Sequence, residues 1–174
     1  TDSFNFPGTS YQAGPSLLRT DPAVEGFLRT EISFTSGVPV QNPASPGKRF
    51  IEHFLFADSN FFSFFSFQLK EGHPGTVLER PFTVVISERM AKKYFGNADP
   101  VGHLLKYDSA YTFEITGVAE NSPSNSSIGY DFVASLSSAL SMKGGSDMLK
   151  ESGISIGSFV TRLLLKKGAG PAGP

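Results

Sequence analysis

The stretch from Ser87 to Tyr107, SERMAKKYFGNADPVGHLLKY, constrains the fold more tightly than any other. It strings together a helix start, a helix stop, a tight turn and the start of a strand. Ser87 is placed as an N-cap whose hydroxyl accepts from an amide of the first turn. Glu88 sits where the helix dipole favours negative charge, and Lys92 and Lys93 lie toward the opposite end. Met90, Ala91, Tyr94 and Phe95 make a narrow apolar stripe, and Gly96 suits the left-handed position that ends a helix. NADPVG then turns the chain, with Pro100 fixing φ, Gly102 giving freedom beside it, and a strand resuming from His103. Every distinctive residue has a backbone task, so Asp99 and His103 need no acid–base role.

Similar reasoning places the neighbouring elements. FTVVIS at 82–87 reads as a strand, as does TFEITGV at 112–118, where Phe113 and Ile115 alternate with Glu114 and Thr116. Upstream, residues 1–15 are rich in Gly, Pro, Ser and Thr and are expected to be irregular at the start. A short helix follows from Gly14 to Asp21, ended by Asp21-Pro22, then a strand from Val24 to Phe34. Gly37–Gly47 holds three prolines and two glycines and is expected to be a loop. Arg49–Ala57 reads as one strand, and Asp58 or Ser59 is expected to cap a short helix carrying NFFSFF. The polar loop ENSPSNSS at 120–127 precedes a strand from Tyr130 to Leu136 and a helix around Ser137–Met142. FVTRLLLK at 159–166 is a final strand. Strands and short helices mix without regular βα alternation, which predicts an α+β fold.

Seventeen phenylalanines against no tryptophan imply a core packed largely with Phe rings. The loudest apolar run, FFSFFSF at 61–67, admits a greasy groove or membrane-touching wedge, but burial in a small core is favoured, since each buried Phe contributes about 1.5–3 kcal/mol. A net charge of −1 without a basic stripe argues against a nucleic-acid partner. No apolar run reaches the ~18 residues that would span a bilayer. Cysteine is absent, which excludes disulfides, thiolate catalysis and Cys-ligated metals. The sequence begins at Thr1 with no signal-peptide pattern and reads as a segment of a longer protein.

Catalytic and metal motifs do not hold up. Gly153-Ile154-Ser155-Ile156-Gly157 matches G-x-S-x-G, but a strand-like run rather than a helix follows it. All three histidines, His53, His73 and His103, precede Ser155, against the hydrolase order. None of them has the i, i+4 spacing of a helical zinc pair, and no EF-hand or phosphate-binding loop occurs. Asn125-Ser126-Ser127 is formally a glycosylation sequon, a pattern too common to carry weight. The expected set of catalytic, cofactor-binding and metal-ligating residues is therefore empty.

As an ordered series, DSNFF, LKEG, VVISERMAKKYFG, DPVG, the strand ending ITGV, and NSPSNSS leading to YDF resemble the periplasmic core domain of MacB-like ABC transporter permeases, also described as FtsX-like. LLRTDPAVEGFLRT upstream and RLLLKKGAG downstream extend the resemblance over about residues 15–170. The family-motif positions are Asp58, Phe61, Phe62, Gly72, Ser87, Ala91, Phe95, Gly96, Asp99, Pro100, Gly102, Gly117 and Val118.

The resemblance implies an extracytoplasmic domain on the periplasmic face of the bacterial inner membrane, set between the first two transmembrane helices of a permease. It implies a porter-like α/β-sandwich lobe, residues 1–57 and 137–174 with its C-terminal part incomplete, and an inserted sabre-like lobe at 58–136. It further implies a permease homodimer, ATP bound by a separate or fused cytoplasmic ATPase, transmission of ATP-driven motion in export, and contact with a periplasmic adaptor or substrate protein. The isolated segment is expected to be monomeric, because membrane helices would supply the pairing. Two rival readings are a free-standing extracytoplasmic binding module using the Phe-rich segment as a groove, and a hydrolase built on Ser155.

Overall fold

Alternating apolar residues and turn-forming ones resolve into short strands and shorter helices. In chain order these are β1 (Ser3–Thr9), α1 (Ala13–Thr20), β2 (Val24–Glu31), β3 (Val38–Gln41), β4 (Arg49–Glu52), β5 (Phe54–Ala57), α2 (Phe61–Phe65) and β6 (Leu69–Glu71). They continue with β7 (Thr83–Ser87), α3 (Glu88–Phe95), β8 (Leu104–Tyr107), β9 (Tyr111–Ala119), β10 (Phe132–Ser135), α4 (Leu136–Ser141), α5 (Gly145–Met148) and β11 (Phe159–Leu165). The structure, a computed structural model, describes residues 3–32, 34, 36–150 and 157–169, with side chains from residue 8 onward. Its class is α+β, as expected. No described helix is long and apolar enough to cross a membrane.

The chain divides into two compact units, Thr1–Ser33 with Leu140–Pro174, and Phe34–Ala139. In the first unit β11 lies between β1 and β2, antiparallel to both. Leu28, Phe159 and Leu163 are buried there, and the Thr9 and Thr161 hydroxyls meet at 2.6 Å. Arg29 lies over the Tyr11 ring at 3.9 Å and donates to the Tyr11 carbonyl at 2.7 Å. Such stacking lets a guanidinium be buried while its N–H groups stay satisfied.

In the second unit the strand order is β5, β10, β7, β9, β8, β3, β4, with β6 also on β9. The β5–β10 and β7–β9 pairs are parallel and the others antiparallel. The Phe-rich core follows from the two-residue period of the strands. Phe54 and Phe132 stand opposite each other and stack at 4.8 Å, while Tyr107 and Phe113 meet Phe54 edge-on at 4.9 and 5.4 Å. A second aromatic cluster joins Phe61, Phe62, Phe65 and Phe67 of the FFSFFSF run to Tyr130. Phe61 and Phe62 are fully buried while Phe64, Phe65 and Phe67 are half-buried, so the run is anchored in the core by its first two rings.

Several sequence expectations change. Residues 3–9 form β1, not an irregular start, because β11 supplies a ladder partner that lies far away in sequence. The Gly37–Gly47 loop contains β3, whose Pro39 lacks an N–H but keeps its carbonyl in use, accepting from the Asp108 amide at 2.9 Å. The single strand expected at 49–57 breaks at His53 into β4 and β5, which take different neighbours. Helix α2 is entered from Asn60 without a side-chain cap, not from Asp58 or Ser59. The Gly145–Met148 helix was not foreseen. Residues 34–57 pack with the second unit, since β3 pairs β8 and β5 pairs β10.

Candidate interaction groove

The second unit holds an open groove of about 670 Å³, walled by α3 and the turn that follows it, with β6 along one side and Val118 of β9 on its floor. Its charged residues are Lys70, Glu71, Glu88, Lys92 and Asp99, and its small or apolar ones include Ala91, Ala98, Pro100 and Val118.

Local chemistry builds each wall. Ser87 caps α3 as its pattern requires, accepting from the Met90 amide at 3.3 Å. Its hydroxyl donates at 2.7 Å to Asp131, which also receives the Arg89 guanidinium at 2.5 Å. Gly96 ends the helix with a positive φ of +68° that suits glycine, but its ψ of −115° lies outside the left-handed helical region expected there. At the same end, Lys48 donates to the Tyr94 carbonyl at 3.1 Å, placing a cation on the negative pole of the helix. Asp99 Oδ1 then accepts from the Val101 amide at 2.8 Å, which closes the turn, and Pro100 is buried beneath it.

The opposite side depends on two glycines. A Cβ on Gly117 would sit 2.7 Å from the Glu71 carbonyl, and one on Gly72 would sit 2.8 Å from the Thr116 carbonyl. Only bare backbone lets β6 and β9 approach this closely. Thr116 occupies the register shift in the β7–β9 pairing and donates to the Val77 carbonyl at 2.6 Å. Together these contacts fix Glu71 at the rim.

The motif series thus converges in space. Ala91, Gly96, Asp99, Pro100 and Val118 line the groove, while Gly72 and Gly117 set its edge. Gly102 leads from the turn into β8, and Phe95 packs on His103 at 5.4 Å. Asp58, Phe61 and Phe62 lie elsewhere, at the entry to and in the first turn of α2. Lys70, Glu71, Glu88, Lys92, Asn97 and Ala98 were not singled out from the sequence, although LKEG carried Lys70 and Glu71 into the motif series.

Electrostatics mark Glu71. Burial, then the charge of Asp99, then a hydrogen bond with it hold this carboxyl above the ordinary range. Lys70 is paired with Glu120 at 3.0 Å. The remaining sequence candidates do not gather into a site. His53 and His73 are exposed, and His73 Nδ1 accepts from the Gly75 amide at 3.2 Å. Among the described residues no three His, Asp or Glu side chains are grouped to hold a metal. Ser155 lies outside the described residues, and Asn125 is exposed in the 120–127 loop.

The family model of the MacB-like periplasmic core domain matches residues 4–168. The chain belongs to that family. This MacB-like domain is accordingly a periplasmic one. No curated protein sequence matches it significantly. Among solved structures it is similar to a domain of a protein described as a permease from Porphyromonas gingivalis, at 25% identity and TM-score 0.76. That match covers 95% of this chain and 66% of the other, so the chain spans slightly less than two thirds of that structure. The periplasmic region of MacB from Actinobacillus actinomycetemcomitans matches at 16% identity and TM-score 0.69, covering 97% and 76% of the two chains. The extracellular domain of the noncanonic ABC-type transporter YknZ from Gram-positive bacteria matches at 12% identity and TM-score 0.65, covering 96% and 85%. The last two likenesses concern the fold alone.

Proposed function

We propose that this MacB-like domain is the extracytoplasmic element of an ABC transporter permease and relays ATP-driven motion to a periplasmic adaptor or substrate protein. The observation that carries the reading is the family match over residues 4–168. Within it we read residues 1–57 and 137–174 as the porter-like lobe and 58–136 as the inserted sabre-like lobe, a division that differs from the contact units in assigning residues 34–57 to the first. The chain itself performs no catalysis in this scheme. ATP is bound by a cytoplasmic ATPase, separate or fused, and the permease pairs with a second copy through its membrane helices. The isolated domain is a monomer.

The test is made on the full-length parent. Hydropathy of its open reading frame and membrane fractionation of the expressed protein are expected to show apolar spans of ~20 residues flanking this domain and an inner-membrane location. A secreted parent with no such spans would overturn the proposal and favour a free-standing binding module. Relay of motion predicts that variants in the domain uncouple transport from ATP hydrolysis in the parent. Equal loss of both activities would argue against it.

A further inference from the structure

We propose that the free edge of β4 takes up an extended, acidic segment of a partner protein as an added strand, held by the backbone of Arg49 and Ile51. The inference rests on the reading of this domain as one that contacts another protein, and it names the surface and the chemistry of that contact.

The backbone carries the first part of the argument. β4 ends the strand order of its unit and pairs with β3 alone. The hydrogen-bonding side of each residue in that ladder is fixed by two contacts. The Asn42 amide donates to the Lys48 carbonyl at 3.3 Å, and Pro39 turns its carbonyl the other way, to the Asp108 amide at 2.9 Å. The hydrogen-bonded pairs of the β3–β4 ladder are therefore Val40 with Phe50 and Val38 with Glu52. Arg49 and Ile51 direct their N–H and C=O groups to the side where no strand lies. Such a row of open donors and acceptors is the template on which an extended chain adds to a sheet.

The side chains point the same way independently. Arg49, Phe50 and Ile51 are all exposed, and Ile51, at 64%, is the most exposed large apolar side chain described. Charge selects the occupant. Among the described residues Lys48, Arg49 and Lys106 have no carboxylate partner. Arg49 and Lys106 stand on either side of Gln41 in the register, so both cations share the outer face of β4, β3 and β8. A second copy of this chain is a poor match. It would bring Lys48 and Arg49 of both copies into one short ladder, where like charges repel. The carboxylate that β4 itself carries, Glu52, is 8% exposed and already bonded to Tyr94 and Lys93. An acidic strand with aliphatic residues meets the backbone, Ile51 and the cations together.

The test is an amide-resolved NMR titration and exchange measurement on the 174-residue chain at neutral pH and low salt. The probe is the peptide Ac-Gly-Asp-Val-Thr-Val-Glu-Gly-amide. Its two comparisons are a version with lysine at both acidic positions and a version N-methylated at its valines and threonine. Without peptide, the Phe50 and Glu52 amides are expected to exchange slowly and the Ile51 amide fast. The acidic peptide is expected to shift the Arg49 and Ile51 amides saturably and to slow exchange at Ile51. The lysine and N-methylated peptides are expected to do neither. Arg49→Glu is expected to weaken binding at least fivefold, the scale of one exposed ion pair, and Lys167→Glu, in the other unit, to leave it unchanged. Ile51→Pro removes the outward N–H without touching the β3 ladder and is expected to abolish protection. If that variant disturbs the spectrum without peptide, Arg49→Glu and the N-methylated peptide decide. No saturable shift at millimolar peptide, equal binding of the lysine or N-methylated peptide, or an Ile51 amide that stays fast at saturation would overturn the proposal. So would Ile51 protection that appears with rising protein concentration alone, which would make the edge a contact between copies. The titration needs no transporter, so failure would remove the role of the β4 edge and leave the permease reading to its own test.

Discussion

Tyr94 and Glu52 meet across the inner face of the second unit, the phenol donating to Glu52 Oε1 at 2.9 Å. Lys93, next in the chain, donates to the same oxygen at 2.7 Å and lies over the Phe50 ring at 4.2 Å. Helix α3 is thereby tied to the edge strand β4 by a carboxylate that is 8% exposed. The chain reads no such link locally, because the partners stand about forty residues apart.

Removing either side of this link is expected to destabilise the fold unequally. Tyr94→Phe leaves Glu52 its lysine and is expected to cost about 1 kcal/mol, the net worth of one hydrogen bond. Glu52→Ala leaves the buried phenol only its long 3.4 Å contact with the Val40 carbonyl and frees Lys93, and is expected to cost more, about 2–3 kcal/mol. Urea unfolding checks both values. An Ala variant as stable as the parent would show that the link is dispensable.

Alkaline pH should weaken the fold through its tyrosines. Burial first, then the Glu52 contact, push the Tyr94 phenol upward, and burial with the Glu120 charge raises Tyr130 to about 12 from 10.0. Above a pH of about 10 the unfolded chain releases these protons while the folded chain keeps them. The unfolded state then binds fewer protons, so stability falls as pH rises through that range and is unaffected below it. Urea midpoints between about pH 9 and pH 11 are expected to drop, and Tyr94→Phe to flatten the drop.

Gly117→Ala places a methyl 2.7 Å from the Glu71 carbonyl, with Val77 at 3.1 Å. Backbone cannot yield cheaply, so a loss of about 1–3 kcal/mol is expected, with β6 displaced from β9. Gly47→Ala, where nothing lies within 4 Å, is the control and is expected to be neutral. Amide exchange at Leu69–Glu71 should rise only in the first variant.

Ser87→Ala removes both the cap on Met90 and the hydrogen bond to Asp131. About 1–2 kcal/mol of stability is expected to go with them. Ser87→Thr, which keeps the hydroxyl, is expected to restore part of that loss; failure to do so would assign the effect to packing.

Phe56 is fully buried against Phe54, Phe113 and Tyr107. Phe56→Ala is expected to cost about 3–5 kcal/mol, and Phe50→Ala on the more exposed β4 clearly less. Thermal melts of the two variants rank them directly.

Helix α3 was legible in the sequence down to its cap because each signal lies within a turn or two of its target. Ser87 caps Met90, Gly96 stops the helix, and Asp99 closes on Val101, all through contacts that the local backbone dictates. The Phe-rich core was legible as composition, and the family through an ordered run of motifs. Tertiary structure decided the rest. β1 and the proline-bearing β3 exist because β11, β4 and β8 come to pair with them, and no local preference announces a distant partner. The groove has the same origin: Glu71, Ala91, Asp99 and Val118 become neighbours through the pairing of β6 and β7 with β9 and the packing of α3 on that pair. Sequence sets the hydrogen bonds and conformations a short segment can satisfy by itself. Register and close approach depend on the surface each segment finally meets, and only the folded chain supplies that surface.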